Sequence, residues 1–349
     1  MEIIVEIPFY DCKSGGIMRQ VILAQKLWTV ELPRYVETSG GIVQTKELTV
    51  ELQKKHKVHL RIQKSNPSLD YSKVDFKVPY SVGMPDKTFP TSEVVITYSD
   101  NPYTDLLTKL PQVKRTLIYM LSYGMCFERE RKNVFNPKVT VMSSTNRTKK
   151  LIEKEGIKCN CVGFGLEMQN FYVDKLIERK RYAALLYHYS PDKQYELGVK
   201  ICDELYNQKL IDGTVTFGTS QDYENYKHPV SLIKNYQDAS SEQVRNIFNE
   251  CCVFIMPSIT EGLNLTPVES TLCGCPSVIC DGAIDDLFFD GETCFIAEKN
   301  NFEDVLEKTK ILLSNSTFSS VFRNNIANLL SKFTWEKTVL NIEKILNKG

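Results

Sequence analysis

Thirty residues, 252–281 (CVFIMPSITEGLNLTPVESTLCGCPSVICD), restrict the fold of this chain more than any other stretch. Val253 to Met256 is a short apolar run stopped by Pro257, the pattern of a strand buried in a parallel sheet and ending at a loop. The loop carries Glu261 and Gly262. Thr266, Pro267 and Glu269 then fall where a helix start wants them: Thr at the N-cap, Pro at the first helical position, and Glu at the third, its carboxylate able to reach back to a free N–H. A helix is therefore predicted from about Pro267, ended by Gly274 and Pro276, with the next strand at 277–280. Strand, loop, helix, strand is the repeating unit of an open α/β sheet.

In such a unit the loop and the helix N-terminus lie at the carboxyl end of the strands, where these sheets bind ligands and free N–H groups face an anion. Glu261 and Glu269 flank that turn, so one can face the ligand from the loop and the other from the helix. Two acceptors beside an anion site suit a hydroxyl-rich phosphate ester, and a sugar nucleotide fits. The plainer alternative is that Glu269 only caps the helix and Glu261 is a solvated loop acid.

The run PS-x2-EG-x-N-L-x-PVE-x3-CG-x-P-x-V, with E-x7-E inside it, resembles the signature of retaining glycosyltransferase family 4. The resemblance implies the GT-B fold: two Rossmann-like doubly wound domains facing across a cleft, with a C-terminal helix crossing back to the first. It also implies that Glu261 lies near the donor sugar, that Glu269 binds the ribose hydroxyls, and that the backbone of Gly262, Leu263, Asn264, Leu265 and Thr266 lines the sugar and phosphates.

At 349 residues the chain is long for one core, and about 150 residues per domain suggests two. Lys plus Arg equals Asp plus Glu at 43 each, so no global field draws in nucleic acid or an anionic membrane. Two basic runs, Lys149-Lys150 and 175–181, read as solvated helix faces or a local patch, which leaves at most peripheral membrane contact. No run of 18 apolar residues occurs, and the start Met1-Glu2 lacks a basic n-region, so neither a membrane span nor a signal peptide is read. The 11 cysteines include no C-x-x-C pair and several sit in apolar runs, the pattern of small hydrophobes in a reduced, cytoplasmic protein.

Strands are predicted at 2–8, 56–61, 93–97, 116–121, 138–142 and 158–162, and helices at 17–27, 42–53 and 146–155. Their alternation argues a doubly wound first domain. Two Gly-Gly pairs compete for the phosphate-cradling turn that the resemblance expects. Gly15-Gly16, directly after the first strand, is preferred over Gly40-Gly41. The second domain is read from a strand at 182–187, through a helix at 195–207, a strand at 214–218 and a helix at 241–250, to the central unit and helices at 302–313 and 321–333. The expected division is 1–173, 174–333 and a returning helix over 334–349, with the linker near 173–181 and Trp335 as a packing anchor. Asp285-Asp286, 289–292 and Val162-Gly163-Phe164-Gly165 also resemble family segments.

In the resembled family an Arg and a Lys, just after the second domain's first strand, meet the leaving diphosphate. Here Lys193 fits the Lys, and His188 stands where the Arg would be, in AALLYHYSPDK. An Arg is always charged and forks two donors, whereas a His near neutrality is charged for part of the population. Either the imidazole gives one hydrogen bond while Lys193 carries the charge, or a neighbour such as Arg181 compensates. A His that many relatives place after the strand TLIYML is also missing; Ser122-Tyr123-Gly124 stands there. A front-face retaining route tolerates that loss, because the departing phosphate oxygen takes the acceptor's proton.

The resulting expectation is a retaining, metal-independent hexosyltransferase with no cofactor. It takes a nucleoside-diphosphate sugar, GDP-mannose before the UDP sugars, and a glycan, glycolipid or glycoprotein acceptor, and a homodimer is left open. The rivals are a non-catalytic sugar-nucleotide-binding subunit and a sugar-nucleotide epimerase of the same fold.

Overall fold

The structure is a computed structural model and describes residues 2–7, 40–62, 80–82, 92–98, 104–121, 123, 125–166, 168–188, 190–218, 227–283 and 286–347. The described residues up to Leu166, together with those from Lys332 onward, form one compact unit, and those from 168 to Ser331 form another.

The first unit is built on β1 (Glu2–Ile7), β2 (Lys57–Ile62), β3 (Tyr80–Val82), β4 (Ser92–Tyr98), β5 (Val113–Met120), β6 (Val139–Ser143) and β7 (Cys159–Cys161). The order across the sheet is β3-β2-β1-β4-β5-β6-β7, and every pairing is parallel. Helix α1 (Gly40–Gln53) precedes β2, and the short α2 (Thr104–Lys109) and α3 (Met125–Glu130) flank β5. Helix α4 (Asn146–Lys154) starts where Thr145, extended, accepts from the Thr148 N–H. Ile118, Met120, Phe127, Val141 and Ile152 pack into one buried cluster.

The second unit repeats the plan. Its strands are β8 (Tyr182–Tyr187), β9 (Gly213–Gly218), β10 (Leu232–Gln237), β11 (Val253–Met256), β12 (Ser277–Cys280) and β13 (Phe295–Ala297). They run β10-β9-β8-β11-β12-β13, all parallel. Helices α5 (Tyr195–Asn207) and α8 (Phe302–Ser314) pack on one face through Tyr195, Val199, Cys202, Leu205, Val305 and Leu312. On the other face, α6 (Ser241–Glu250) and α7 (Thr266–Leu272) pack together, with Phe248 of α6 edge-on to Phe217 and Phe254 at 5.4 and 5.3 Å. Helix α6 starts in a full capping box, Ser240 with Gln243. Helices on both faces of a parallel sheet make each unit doubly wound and Rossmann-like.

After α9 (Thr317–Leu330) the chain ends in α10 (Trp335–Leu346), which packs on α1 within the first unit. Glu343 of α10 lies 2.9 Å from His56 Nε2 and 3.5 Å from Lys55 Nζ, and Asn341 Nδ2 donates to the Val162 carbonyl at 3.2 Å. Trp335 is buried against Gly165, where an added Cβ would come within 2.3 Å of the indole. Only a glycine leaves room for the ring.

The segment 168–181, read from sequence as the end of the first domain and a basic linker, packs with the second unit. The Asn249 side chain accepts from the Asp174 N–H at 2.8 Å and donates to the Tyr172 carbonyl at 3.0 Å, while the Arg245 guanidinium lies 4.9 Å from the Tyr172 ring. The basic run is neither helical nor free. Arg179 donates to the carbonyls of Phe248, Cys251 and Cys273, Lys180 pairs with Glu250 at 2.7 Å, and Arg181 pairs with Asp212 at 3.5 Å. Arg179 therefore ties the C-terminal ends of α6 and α7 together, where exposed carbonyls favour a cation.

Candidate functional site

In a sheet ordered as in the second unit, the chain turns outward in opposite directions from β8 and from β11. The loops leaving these neighbours at their carboxyl ends enclose a crevice. After β8 comes His188, then a 3-10 turn, Pro191–Lys193, and Gln194 in the left-handed region at φ 49° before α5. After β11 comes the loop that carries Glu261.

The two loops are fastened together. The Ile259 N–H donates to the Asp192 carbonyl at 2.9 Å. The turn after β12 closes on the same place: a Cβ on Gly282 would stand 1.8 Å from the Ile259 carbonyl oxygen, so the backbones meet there as only glycine permits. Gly282 was not singled out in the sequence, although its position two residues past a strand was a usable signal.

With the loops so held, Lys193 Nζ and Glu261 Oε1 lie 2.6 Å apart, a charge-assisted pair with side chains 21% and 11% exposed. The sequence marked both residues for one site but did not show that they touch. Lys193 is 68 positions from Glu261, and strand adjacency alone brings them together.

His188 departs from its expectation. Its Nδ1 accepts from the Ser190 N–H at 3.0 Å, which places the ring proton on Nε2. Burial, with the Lys193 ammonium nearby, pushes its pKa down to about 3, so the imidazole is neutral at pH 7 rather than partly charged. Arg181 does not compensate. It precedes β8, a strand of six residues or about 20 Å, and is engaged with Asp212 and the Lys209 carbonyl at the far end.

Helix α7 begins at Thr266, one residue before the expected start, with Leu265 at the cap and no side-chain cap hydrogen bond. The predicted capping box is therefore absent. Thr266 is already helical, and Pro267 brings no N–H to the first turn. Glu269 is buried on the first turn. Gly262, Leu263, Leu265 and Thr266 are half-buried and Asn264 is buried, lining the passage from Glu261 to Glu269. Ser258, just past β11, is fully buried, with a hydroxyl that finds no hydrogen-bond partner among the described residues.

Gly15 and Gly16 lie outside the described residues, as do Ser122 and Gly124. Gly40 and Gly41 open α1, the helix that leads into β2. The Tyr123 hydroxyl donates to Glu155 at 2.8 Å within the first unit, and its ring stacks on Phe127. Among the described residues, no group of three His, Cys, Asp or Glu side chains comes together to hold a metal. Burial raises thiols such as Cys159 and Cys273 to a pKa of about 12, so they remain protonated. No helix among the described residues is long and apolar enough to cross a membrane.

Residues 213–315, which include Glu261 and Glu269, match the family of glycosyl transferases group 1. An uncharacterized glycosyltransferase of Methanocaldococcus jannaschii is 30% identical over 144 residues, 40% of this chain and 40% of that protein. The capsular polysaccharide biosynthesis glycosyltransferase CapM of Staphylococcus aureus is 30% identical over 128 residues, 34% of this chain and 32% of its own length. The chain thus matches these curated relatives over well under half of their length. Among solved structures, sucrose-phosphate synthase from Thermosynechococcus elongatus shares the fold with a TM-score of 0.74 at 10% identity, covering 99% of this chain and 98% of that one. Anabaena HepE, in complex with UDP and glucose, gives 0.65 at 11% identity over 100% of both. The stretch from 213 to 315 is thus similar to glycosyl transferases group 1, and the chain that carries it has a two-domain α/β fold of the GT-B type.

Proposed function

We propose that the chain is a retaining, metal-independent glycosyltransferase that moves a hexose from a nucleoside-diphosphate sugar to a hydroxyl of a glycan, glycolipid or glycoprotein. One observation carries the reading: an ammonium and a carboxylate, Lys193 and Glu261, meet at the topological switch point of a doubly wound sheet, with the buried Glu269 on the next helix. In this reading Lys193 and the backbone N–H groups near Thr266 take up charge developing on the diphosphate, Glu269 accepts from the ribose hydroxyls, and Glu261 accepts from a sugar hydroxyl. His188, neutral, offers a hydrogen bond and no charge. In the first unit, Gly15-Gly16 is kept as the glycine turn that meets the donor. The departing phosphate oxygen takes the acceptor's proton, so the protein needs no strong base. Buried thiols such as Cys159, Cys202 and Cys273, set in apolar surroundings, fit a reducing compartment, and we place the protein in the cytoplasm.

GDP-mannose is the first donor to try, with UDP-glucose and UDP-N-acetylglucosamine beside it. Titration calorimetry with each, with and without divalent metal, tests the donor. Proton NMR of the product formed from the donor that binds then reads the anomeric configuration. Binding of none of the three to folded protein, or an inverted product, removes the proposal. His188 favours one second reading, a non-catalytic sugar-nucleotide-binding subunit, because the site then has one cation where a paired Arg and Lys would supply two. Slow hydrolysis of the bound donor without acceptor separates the two readings: a transferase shows it and a binding subunit does not.

A further inference from the structure

We infer that the Lys193–Glu261 pair makes the site discriminate an intact nucleoside-diphosphate sugar from the free nucleoside diphosphate, so that the product is released rather than retained; this rests on the donor-site reading above. The contact is 2.6 Å between charged atoms on separate loops, and both side chains are largely withdrawn from water. The Ile259–Asp192 hydrogen bond holds the Glu261 loop against the Lys193 turn, and the turn at Gly282, after β12, backs Ile259.

A phosphate that reaches the Lys193 ammonium therefore meets an ammonium already occupied by a carboxylate. Two anions then share one cation in a partly desolvated place, where their mutual repulsion is weakly screened. The carboxylate can give up the ammonium without loss only if hydroxyl donors replace it, because a carboxylate is acceptor-only. A hexose on the distal phosphate brings several hydroxyls to that position, whereas a bare diphosphate brings none. With the sugar present, Glu261 turns to O–H groups and Lys193 is released to the diphosphate. Once the sugar has left, Glu261 returns to compete with the phosphate for Lys193. His188 adds no second cation to relieve the competition, since its imidazole is neutral and faces the Ser190 N–H through Nδ1.

The test is a binding comparison on the full chain. Wild type, Glu261→Gln and Glu261→Ala are titrated with GDP-mannose and GDP, and with UDP-glucose and UDP. Melting curves establish that each variant is folded; neither fastening of the Glu261 loop uses the carboxylate. For the nucleotide that wild type binds, removal of the charge should tighten the free diphosphate about tenfold, while the sugar nucleotide stays level or weakens. Both variants should behave alike. Equal shifts for the two ligands, or a weaker free diphosphate, would overturn the inference and leave the donor site standing. If wild type binds neither ligand of either pair, the donor-site reading itself fails and takes the inference with it.

Discussion

His188 offers a prediction with a computable size. Its side chain is withdrawn from water beside the Lys193 ammonium, and the pKa falls from 6.5 to about 3. The folded protein therefore binds a proton on this ring less readily than the unfolded chain does. The contribution to stability is fully present above pH 6.5 and is lost as pH falls from there toward 3. At 1.36 kcal/mol per pH unit, acidification from 6.5 to 5 should remove about 2 kcal/mol from the second unit through this residue alone. His188→Asn isolates it, because the Asn carbonyl can still accept from the Ser190 N–H and does not titrate. The variant brings a constant offset from the smaller side chain, but its stability curve should be flatter between pH 7 and 5 by that amount. Both tryptophans, Trp28 and Trp335, lie outside the span of the second unit, so hydrogen exchange of peptides from β8 and β11 in urea is the suitable readout. Parallel pH profiles for wild type and variant, or an imidazole titrating near 6.5 by NMR, would refute the reasoning. The functional corollary is that donor binding shows no inflection from His188 between about pH 5.5 and 8.

Other expectations follow from the same geometry. Glu269→Ala should weaken nucleotide binding by about 1–3 kcal/mol, as lost charge-assisted hydrogen bonds would; calorimetry on a variant shown by its melting curve to be folded checks it. Lys193→Ala should lower kcat more than it raises KM, the signature of a group that acts on charge developing in the transition state; equal losses would make it a binding group only. Gly282→Ala would drive a Cβ to 1.8 Å from the Ile259 carbonyl and displace the Glu261 loop, so donor affinity measured by calorimetry should fall several-fold.

Much of this architecture could be read in one dimension. The runs at β8, α5, α6, β11 and β12 announce their own ends, because buried parallel strands are short apolar runs and helices declare themselves by period and cap. The strands missed were β3, β10 and β13. All three are edges or short, and β10, LIKNYQ, mixes polar and apolar residues at a place where, among the described residues, no strand covers its outer side. Helix α7 was placed correctly, but its start was misread. Thr-Pro-x-Glu specifies that a turn can be capped, not that the preceding loop will hold Thr266 in extended backbone.

The residue types at the site, two glutamates and a lysine, were determined by the sequence, along with the alternation of strand and helix that makes each half doubly wound. The sequence could not decide which of them touch. Lys193 reaches Glu261 because β8 and β11 are neighbours in a sheet whose order reverses between them, and their loops are joined by a backbone hydrogen bond. His188 loses its charge for the same kind of reason. A protonation state depends on what surrounds the ring in space, and the water it has lost and the ammonium it has gained are set by tertiary packing rather than by its neighbours in the chain.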